Sequence, residues 1–313
     1  MTKLSVVMGI YNEEKTLPET LISILTQQEI DFELIVVNDG STDNSAKILD
    51  EFAKSYSNLK VIHQLNSGLT KALIRGCKEA QGEFIARHDC GDISLPHRLR
   101  SQANILDEDP DISLVSTWVD FLSPDGEYLY TCSPSVSRSA KTLTIDNIDK
   151  FLMPPHHGST MFRRDIYELV GGYRANFYFA QDYDLWSRLI EKGDHVIIPQ
   201  VLYQAKLNIN SISGKYASEQ RQLKSLIDQA TLSRRKTMNE EPYLDIANTI
   251  QPKHTSIDLR RRANSSYFIG SCLLKNKNPK CMDYFKEAIK YNKLHYRSWS
   301  KILLLKSSVQ KKI

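Results

Sequence analysis

The first 100 residues admit few folds, because apolar runs of strand length alternate there with segments of helical spacing. "KLSVVMGIY" (3–11), "FELIVVND" (32–39), "LKVIHQ" (59–64) and "GEFIARHD" (82–89) read as strands. Helical patterns lie between them. The first carries Leu17, Leu21, Ile24 and Leu25 as its apolar stripe, opened by Thr16, Pro18 and Glu19 in the order of a capping box. The second follows "GSTDNS" and places Ile48, Leu49, Phe52, Ala53 and Tyr56 on one face, and an Ala/Leu-rich third covers about 69–80. This alternation predicts an α/β fold of parallel βαβ units with right-handed crossovers.

Ligands of such sheets bind beyond the carboxyl ends of the strands. Those ends read Gly9-Ile10-Tyr11-Asn12-Glu13, Asn38-Asp39-Gly40-Ser41, Asn66-Ser67-Gly68 and Arg87-His88-Asp89. No G-x-G-x-x-G follows the first strand and no G-x-x-x-x-G-K-[ST] occurs, which argues against a dinucleotide site and a Walker loop. Three of the four ends carry a carboxylate instead. Acids in that place suit a diphosphate held through a divalent metal, since Mg²⁺ and Mn²⁺ prefer carboxylate and phosphate oxygens. A nucleotide-sugar donor fits this arrangement. The last strand end continues as Asp89-Cys90-Gly91-Asp92, which reads as a metal site, a tight turn or a helix cap.

From 110 to 205 the pattern is mixed, with "ISLVSTWVDFL" as a strand and a polar stretch near 133–150; past 215 it is helical. We place a boundary near 210, in "LNINSISGK", giving a domain over 1–210 and a helical region over 211–313. The net charge of +4 conceals an asymmetry: residues 252–313 carry 15 Lys/Arg against 3 Asp/Glu. Such a basic tail suggests attraction to membrane lipid, nucleic acid or the protein's own acidic face, or simply a solvated helical surface. Helical spacing can place much of its apolar set, Phe285, Ile289, Trp299, Ile302, Leu303 and Leu305, on one side and the charges on the other. Five cysteines without close ligand spacing argue against a disulfide framework or a zinc site, and no G-x-S-x-G marks a hydrolase. No apolar run approaches the roughly 18 residues of a membrane span, and the start "MTKLSVVMGIYNEE" is too short an apolar stretch for a signal peptide. A cytoplasmic location is expected, with the basic tail as a candidate peripheral contact with the inner membrane face.

Seven blocks, "VVMGIYNEEKTLPETLISILTQ", "FELIVVNDGSTDNS", "NSGLTKAL", "GEFIARHDCGDISLPHRL", "HHGSTMFRR", "GGYR" and "AQDYDLW", resemble in order and spacing the signature of the family 2 glycosyltransferases. The resemblance covers about residues 3–205. It implies a GT-A fold, with a mainly parallel central sheet flanked by helices, and inverting sugar transfer from a nucleotide-diphospho-sugar, most commonly UDP-linked. Carried over residue by residue, it implies that Tyr11 and Glu13 line the nucleotide and that Asp39 reads the base or ribose. Asp89 opens the segment similar to the family's Asp-x-Asp motif, Asp182 matches the catalytic base, and His157 matches an acceptor-side histidine. The implied cofactor is Mn²⁺ or Mg²⁺ on Asp89 and Asp92, and the implied acceptor is a surface polysaccharide or lipid-linked glycan. No nucleic-acid partner is expected.

Two departures from the family's pattern bear on activity. Gly91 stands where the middle acid is usual, with Asp92 one residue on, and Gln181 replaces the usual Glu before Asp182. They keep open a non-catalytic nucleotide-sugar-binding or scaffold protein on the same fold. A nucleotidyltransferase would want a Gly/Arg/Lys-rich loop where this chain has Tyr11-Asn12-Glu13-Glu14. Read singly, Asp39-Gly40 is also an ordinary turn, Asp182 a surface or cap residue, and His88 and His157 satisfied hydrogen-bonders.

Overall fold

Four strands of the first 90 residues, β1 (Leu4–Ile10), β2 (Phe32–Asp39), β3 (Leu59–Gln64) and β4 (Phe84–Arg87), pair in parallel in the order β3-β2-β1-β4. The computed structural model describes residues 3–134, 153–207, 216–252 and 258–310. Helices α1 (Leu17–Leu25), α2 (Ser45–Ser55) and α3 (Leu69–Lys78) make the crossovers. Side chains alternate across β1, so that Leu4, Val6, Met8 and Ile10 face Leu17, Leu21, Ile24 and Leu49. Val7 and Ile35 face Leu73 of α3 on the other side. Apolar residues on both faces explain why these strands read as continuous hydrophobic runs. Thr16 does stand ahead of α1, but its backbone is already helical and its hydroxyl donates to the Glu13 carboxylate (2.7 Å) in place of a cap bond.

The sheet then continues in antiparallel fashion. β5 (Ile93–Ser94) leads to α4 (Arg98–Glu108) and β6 (Ile112–Leu122), which turns back as β7 (Tyr128–Cys132). β8 (Met161–Arg163) enters between β4 and β6, antiparallel to both. After α5 (Arg164–Leu169) and α6 (Gln181–Leu189), β9 (Asp194–Lys206) completes nine strands among the described residues. β9 pairs with β5, setting Tyr203 opposite Ser94.

The chain divides into two units by its own contacts, and the division is not a single cut near 210. The first unit takes residues 1–119, 132–205 and 219–251. It therefore includes most of α7 (Ala217–Arg235) and all of α8 (Glu241–Asn248), which the sequence reading assigned to the helical region. The reason lies in ion pairs: Arg234 bridges Glu191 (3.0 Å) and Glu240, and Glu240 also binds Arg174 (2.8 Å). The Tyr183 hydroxyl donates to Asp228 of α7 (2.7 Å). The second unit takes 120–131, 206–218 and 252–313. It holds α9 (Leu259–Lys275), α10 (Cys281–Tyr291), α11 (Tyr296–Gln310) and the tip of the β6–β7 hairpin. Leu129 of the hairpin is buried with Ile269, Leu273 and Phe285, and the Asn276 amide at the end of α9 donates to the Tyr128 and Leu129 carbonyls (3.0 and 2.9 Å). Most of the expected linker, residues 208–215, lies outside the described residues.

Candidate active site

The carboxyl ends of β1, β2 and β4 open on one edge of the sheet, and their loops are fastened to one another by side chains. The Asn12 carboxamide accepts from the Thr42 amide (2.7 Å), Ser41 accepts from the Asn12 amide (2.9 Å), and Ser45 accepts from the Glu13 amide (2.9 Å). Asn12 takes a left-handed backbone (φ +57°) to turn the chain there. Tyr11 before it is half exposed (48%), leaving its ring face available. Glu13 is only partly accessible, and burial, then the neighbouring Asp43 and Asp89 charges, push its carboxyl above the usual range against the pull of Thr16.

Asp39 is buried, and its carboxylate accepts from the Gln64 side chain (2.7 Å) and from the Ser67 amide and hydroxyl (2.9 and 3.1 Å). The Gly68 amide donates to its other oxygen (2.8 Å). About four acceptor positions exist on a carboxylate, so Asp39 is engaged in shaping the β3–α3 loop.

Asp89 lies two residues beyond the end of β4, on a base of buried cations. Arg87 is fully buried: its Nη1 donates to the Val7 and His88 carbonyls (2.6 Å each), its Nε to His157 (3.3 Å), and its Nη2 to the Asp89 carboxylate. Burial disfavours the charged form of Asp89, yet the adjacent Arg87 guanidinium outweighs it and holds this carboxyl well below the usual range. Asp89 is therefore an anion at any working pH. Arg98 lies behind it, donating to the Arg87 and Gly158 carbonyls (2.7 Å each) with its guanidinium over the Tyr203 ring at 4.8 Å.

Tyr203 joins the two acids of the motif. Its hydroxyl accepts from the Asp89 amide (3.2 Å) and donates to the Asp92 carboxylate (2.8 Å). Gly91 between them has φ +93°, a backbone that costs side-chain-bearing residues about 1–2 kcal/mol, while the space around it is open, with Thr16 nearest at 3.9 Å. The missing middle acid thus coincides with a left-handed turn. Gly158 is closed: a Cβ there would run into the Tyr203 hydroxyl.

The two histidines of "HHG" divide their work. His157 is buried; its Nε2 accepts from Arg87 and from the Tyr173 hydroxyl (2.7 Å), and burial, then Arg87, lower it to about 3. It is a neutral acceptor that orients Arg87. His156 faces the acids, with Nδ1 3.7 Å from Asp92 and 4.0 Å from Asp89, and stacks on Tyr203. Asp89, Asp92 and His156 offer ligand atoms within 4.8 Å of one another. Two carboxylates and an imidazole make a donor set suited to Mn²⁺ or Mg²⁺, and His156 Nδ1, which accepts from the Gly158 amide (3.1 Å), would have to exchange that bond for the ion. Neither His156 nor Tyr203 was singled out in the sequence.

Asp182 sits in the first turn of α6, two residues after Ala180, whose φ of +57° bends the chain into the helix. Its carboxylate accepts from the Tyr183 amide (2.8 Å). Burial pushes its carboxyl up, and the Asp89 charge adds to the rise. The Asp89 charge therefore acts on both Glu13 and Asp182. Gln181 beside it is buried and uncharged. A fixed anion and a carboxylate of increased basicity at one strand edge can bind a cationic or metal-bridged group and take up a proton beside it.

The family model described as Glycosyl transferase family 2 matches residues 5–171. EpsE of Bacillus subtilis (strain 168), provisionally named a glycosyltransferase, is 34% identical over 198 residues, covering 61% of this chain and 68% of that one. The O-antigen biosynthesis glycosyltransferase WbnJ of Escherichia coli is 30% identical over 199 residues, covering 62% and 74%. A crystal structure of S. aureus TarS 1–349 in complex with UDP-GlcNAc superposes with a TM-score of 0.55 at 20% identity, covering 95% of this chain and 90% of that one.

Proposed function

Since this chain belongs to glycosyl transferase family 2, we propose that it transfers a hexosyl or N-acetylhexosaminyl group with inversion from a UDP-linked sugar to an acceptor hydroxyl. The acceptor we assign is a surface polysaccharide or its lipid-linked precursor, a reading supported by the name of the O-antigen relative and by the UDP-GlcNAc held by the TarS structure. The observation that carries the proposal is the group of Asp89, Asp92 and His156 beyond the end of β4, whose ligand atoms lie within 4.8 Å of one another, in a chain of this family.

In this reading Asp182 takes the proton of the acceptor hydroxyl while its oxygen attacks the anomeric carbon from the face opposite the diphosphate. The bond from that carbon to the diphosphate oxygen breaks, and UDP leaves. General-base help of this kind contributes about 10²–10⁴-fold. Asp89, Asp92 and His156 would hold a divalent ion, which when bound supplies positive charge for the departing diphosphate. Tyr11 offers a ring face to the base, Glu13 borders the ribose side, and Asp39 holds the β3–α3 loop beneath them. His157, through Arg87, keeps Asp89 in place.

The test is a panel of sugar nucleotides assayed for UDP release with and without glycan acceptors, comparing the native protein with Asp182→Asn. Turnover that depends on Asp182 supports the proposal. Tight UDP-sugar binding with no turnover for any donor or acceptor would overturn it in favour of the non-catalytic binder to which Gly91 and Gln181 point.

A further inference from the structure

From residue 288 onward the chain holds seven Lys/Arg and no Asp or Glu. Within the second unit, α11 buries Ser298 and Ile302, with Leu305 packed beside them, in line with buried His295 just before the helix. This is one face at helical spacing. The opposite face is not uniformly polar. Tyr296, Trp299, Leu303 and Leu304 are exposed by 72%, 48%, 64% and 61%, and Leu294 before the helix by 87%. The apolar residues of the tail are therefore split between two faces, correcting the expectation of a single one. Phe285 and Ile302 supply a core, while Trp299 and Leu303 look outward.

Large apolar side chains on the outer face of a helix need a covering surface. Two features here say which. Cations flank the stripe: Lys293 and Arg297 are exposed and Lys301 is partly so, while no acid lies nearby in sequence. The stripe also pairs Trp and Tyr with Leu, the residues that settle at the boundary between headgroups and acyl chains. The Trp299 ring is held in position, its Nε1 donating to the Lys293 carbonyl (3.0 Å). No helix among the described residues is long and apolar enough to cross a membrane, so the contact is one of lying on the surface.

We propose that α11 docks this protein on an anionic lipid bilayer, its Tyr296–Trp299–Leu303–Leu304 stripe entering the headgroup boundary and the flanking cations meeting acidic lipid. This proposal uses none of the catalytic residues and goes beyond the transferase reading. It places the enzyme where a lipid-linked acceptor is found.

The experiment cosediments the full chain with phosphatidylcholine vesicles made with or without phosphatidylglycerol. Binding to the anionic vesicles is expected, weakening as salt rises, with a blue shift of Trp299 emission. Leu303→Ser with Leu304→Ser should reduce partitioning about tenfold or more, since both side chains are already exposed and the fold does not depend on them. Replacing Lys293, Arg297 and Lys301 by Gln should reduce it on the order of a hundredfold. Equal partitioning of native and Leu-to-Ser proteins would overturn the proposal. So would absence of vesicle binding together with a dimer that the same variant dissociates, which would make the stripe a contact between two copies. UDP release by the soluble Leu-to-Ser variant should match the native rate. If no form turns over but vesicle binding behaves as described, the transferase reading falls and the docking surface stands.

Discussion

Replacing Tyr203 by Phe removes one oxygen and leaves the ring, with its contacts to His88, His156 and Arg98, in place. The hydroxyl makes two bonds that nothing else supplies: one accepted from the Asp89 amide at 3.2 Å and one donated to the Asp92 carboxylate at 2.8 Å. A hydrogen bond to a charged group contributes about 1.5–3 kcal/mol, and an orphaned buried amide costs about 1–3 kcal/mol. The two losses share one atom and relax together, so the expected destabilisation is about 3 kcal/mol, below their plain total. Burial keeps the Tyr203 hydroxyl protonated throughout the working range, so the effect should not vary between pH 6 and 9. Urea unfolding followed by circular dichroism measures it as a lower midpoint at unchanged slope. Mn²⁺ affinity should fall in the same variant, because Asp89 and Asp92 lose their common tether. A loss smaller than about 0.5 kcal/mol with native metal affinity would refute the view that Tyr203 organises the acidic pair.

Asp182→Asn should lower transfer about 10²-fold or more with UDP affinity nearly unchanged. Because the folded carboxyl titrates above its usual 3.8, the native state pays a charging cost at neutral pH, and the same variant should unfold at slightly higher urea. His88, His156 and His157 are all held neutral below 6.5, so an unfolded chain binds more protons than the folded one under mild acid; stability should decline as pH falls below about 6.5, and His157→Gln should flatten that decline. Added Mn²⁺ should tighten UDP binding in calorimetry, and Asp89→Ala should abolish the gain while leaving Arg87 buried without its anion, at about 3–5 kcal/mol of stability. Gly91→Asp fits the open space and should strengthen Mn²⁺-dependent binding, against about 1–2 kcal/mol of backbone strain at φ +93°.

The parallel half of the sheet was legible because β1, β2 and β4 are buried on both faces and each crossover is short. β2 and β3 fall on the residues expected of them, and Ile48, Phe52, Ala53 and Tyr56 gather round buried Leu49 as their spacing required. The antiparallel half was not laid out, since β5 and β8 are two and three residues long and carry no period. Of the site, the Asp89 charge adds to the rise of the Asp182 carboxyl. Tyr203 had no local signal: it reaches Asp92 across 111 positions through the pairing of β9 with β5. His156 and His157 differ by one residue, and the extended backbone at 156 (φ −156°), which no composition predicts, decides which ring meets the acids. The capping-box pattern at Thr16 failed because a nearer carboxylate, Glu13, took the hydroxyl.

The β6–β7 hairpin tip gives the order of synthesis a cost. Leu129 leaves the ribosome about 155 residues before Phe285, its partner in the second unit's core. At about 5–20 residues per second that gap lasts roughly 10–30 s. Throughout it, β7 is a nascent strand whose apolar side chains have no helix to cover them and whose main-chain groups at Tyr128 and Leu129 lack the Asn276 amide. Nascent chains that end between α7 and α9 should accordingly be the forms most dependent on chaperones, and shortening the protein from its C-terminus recreates that unfinished state permanently.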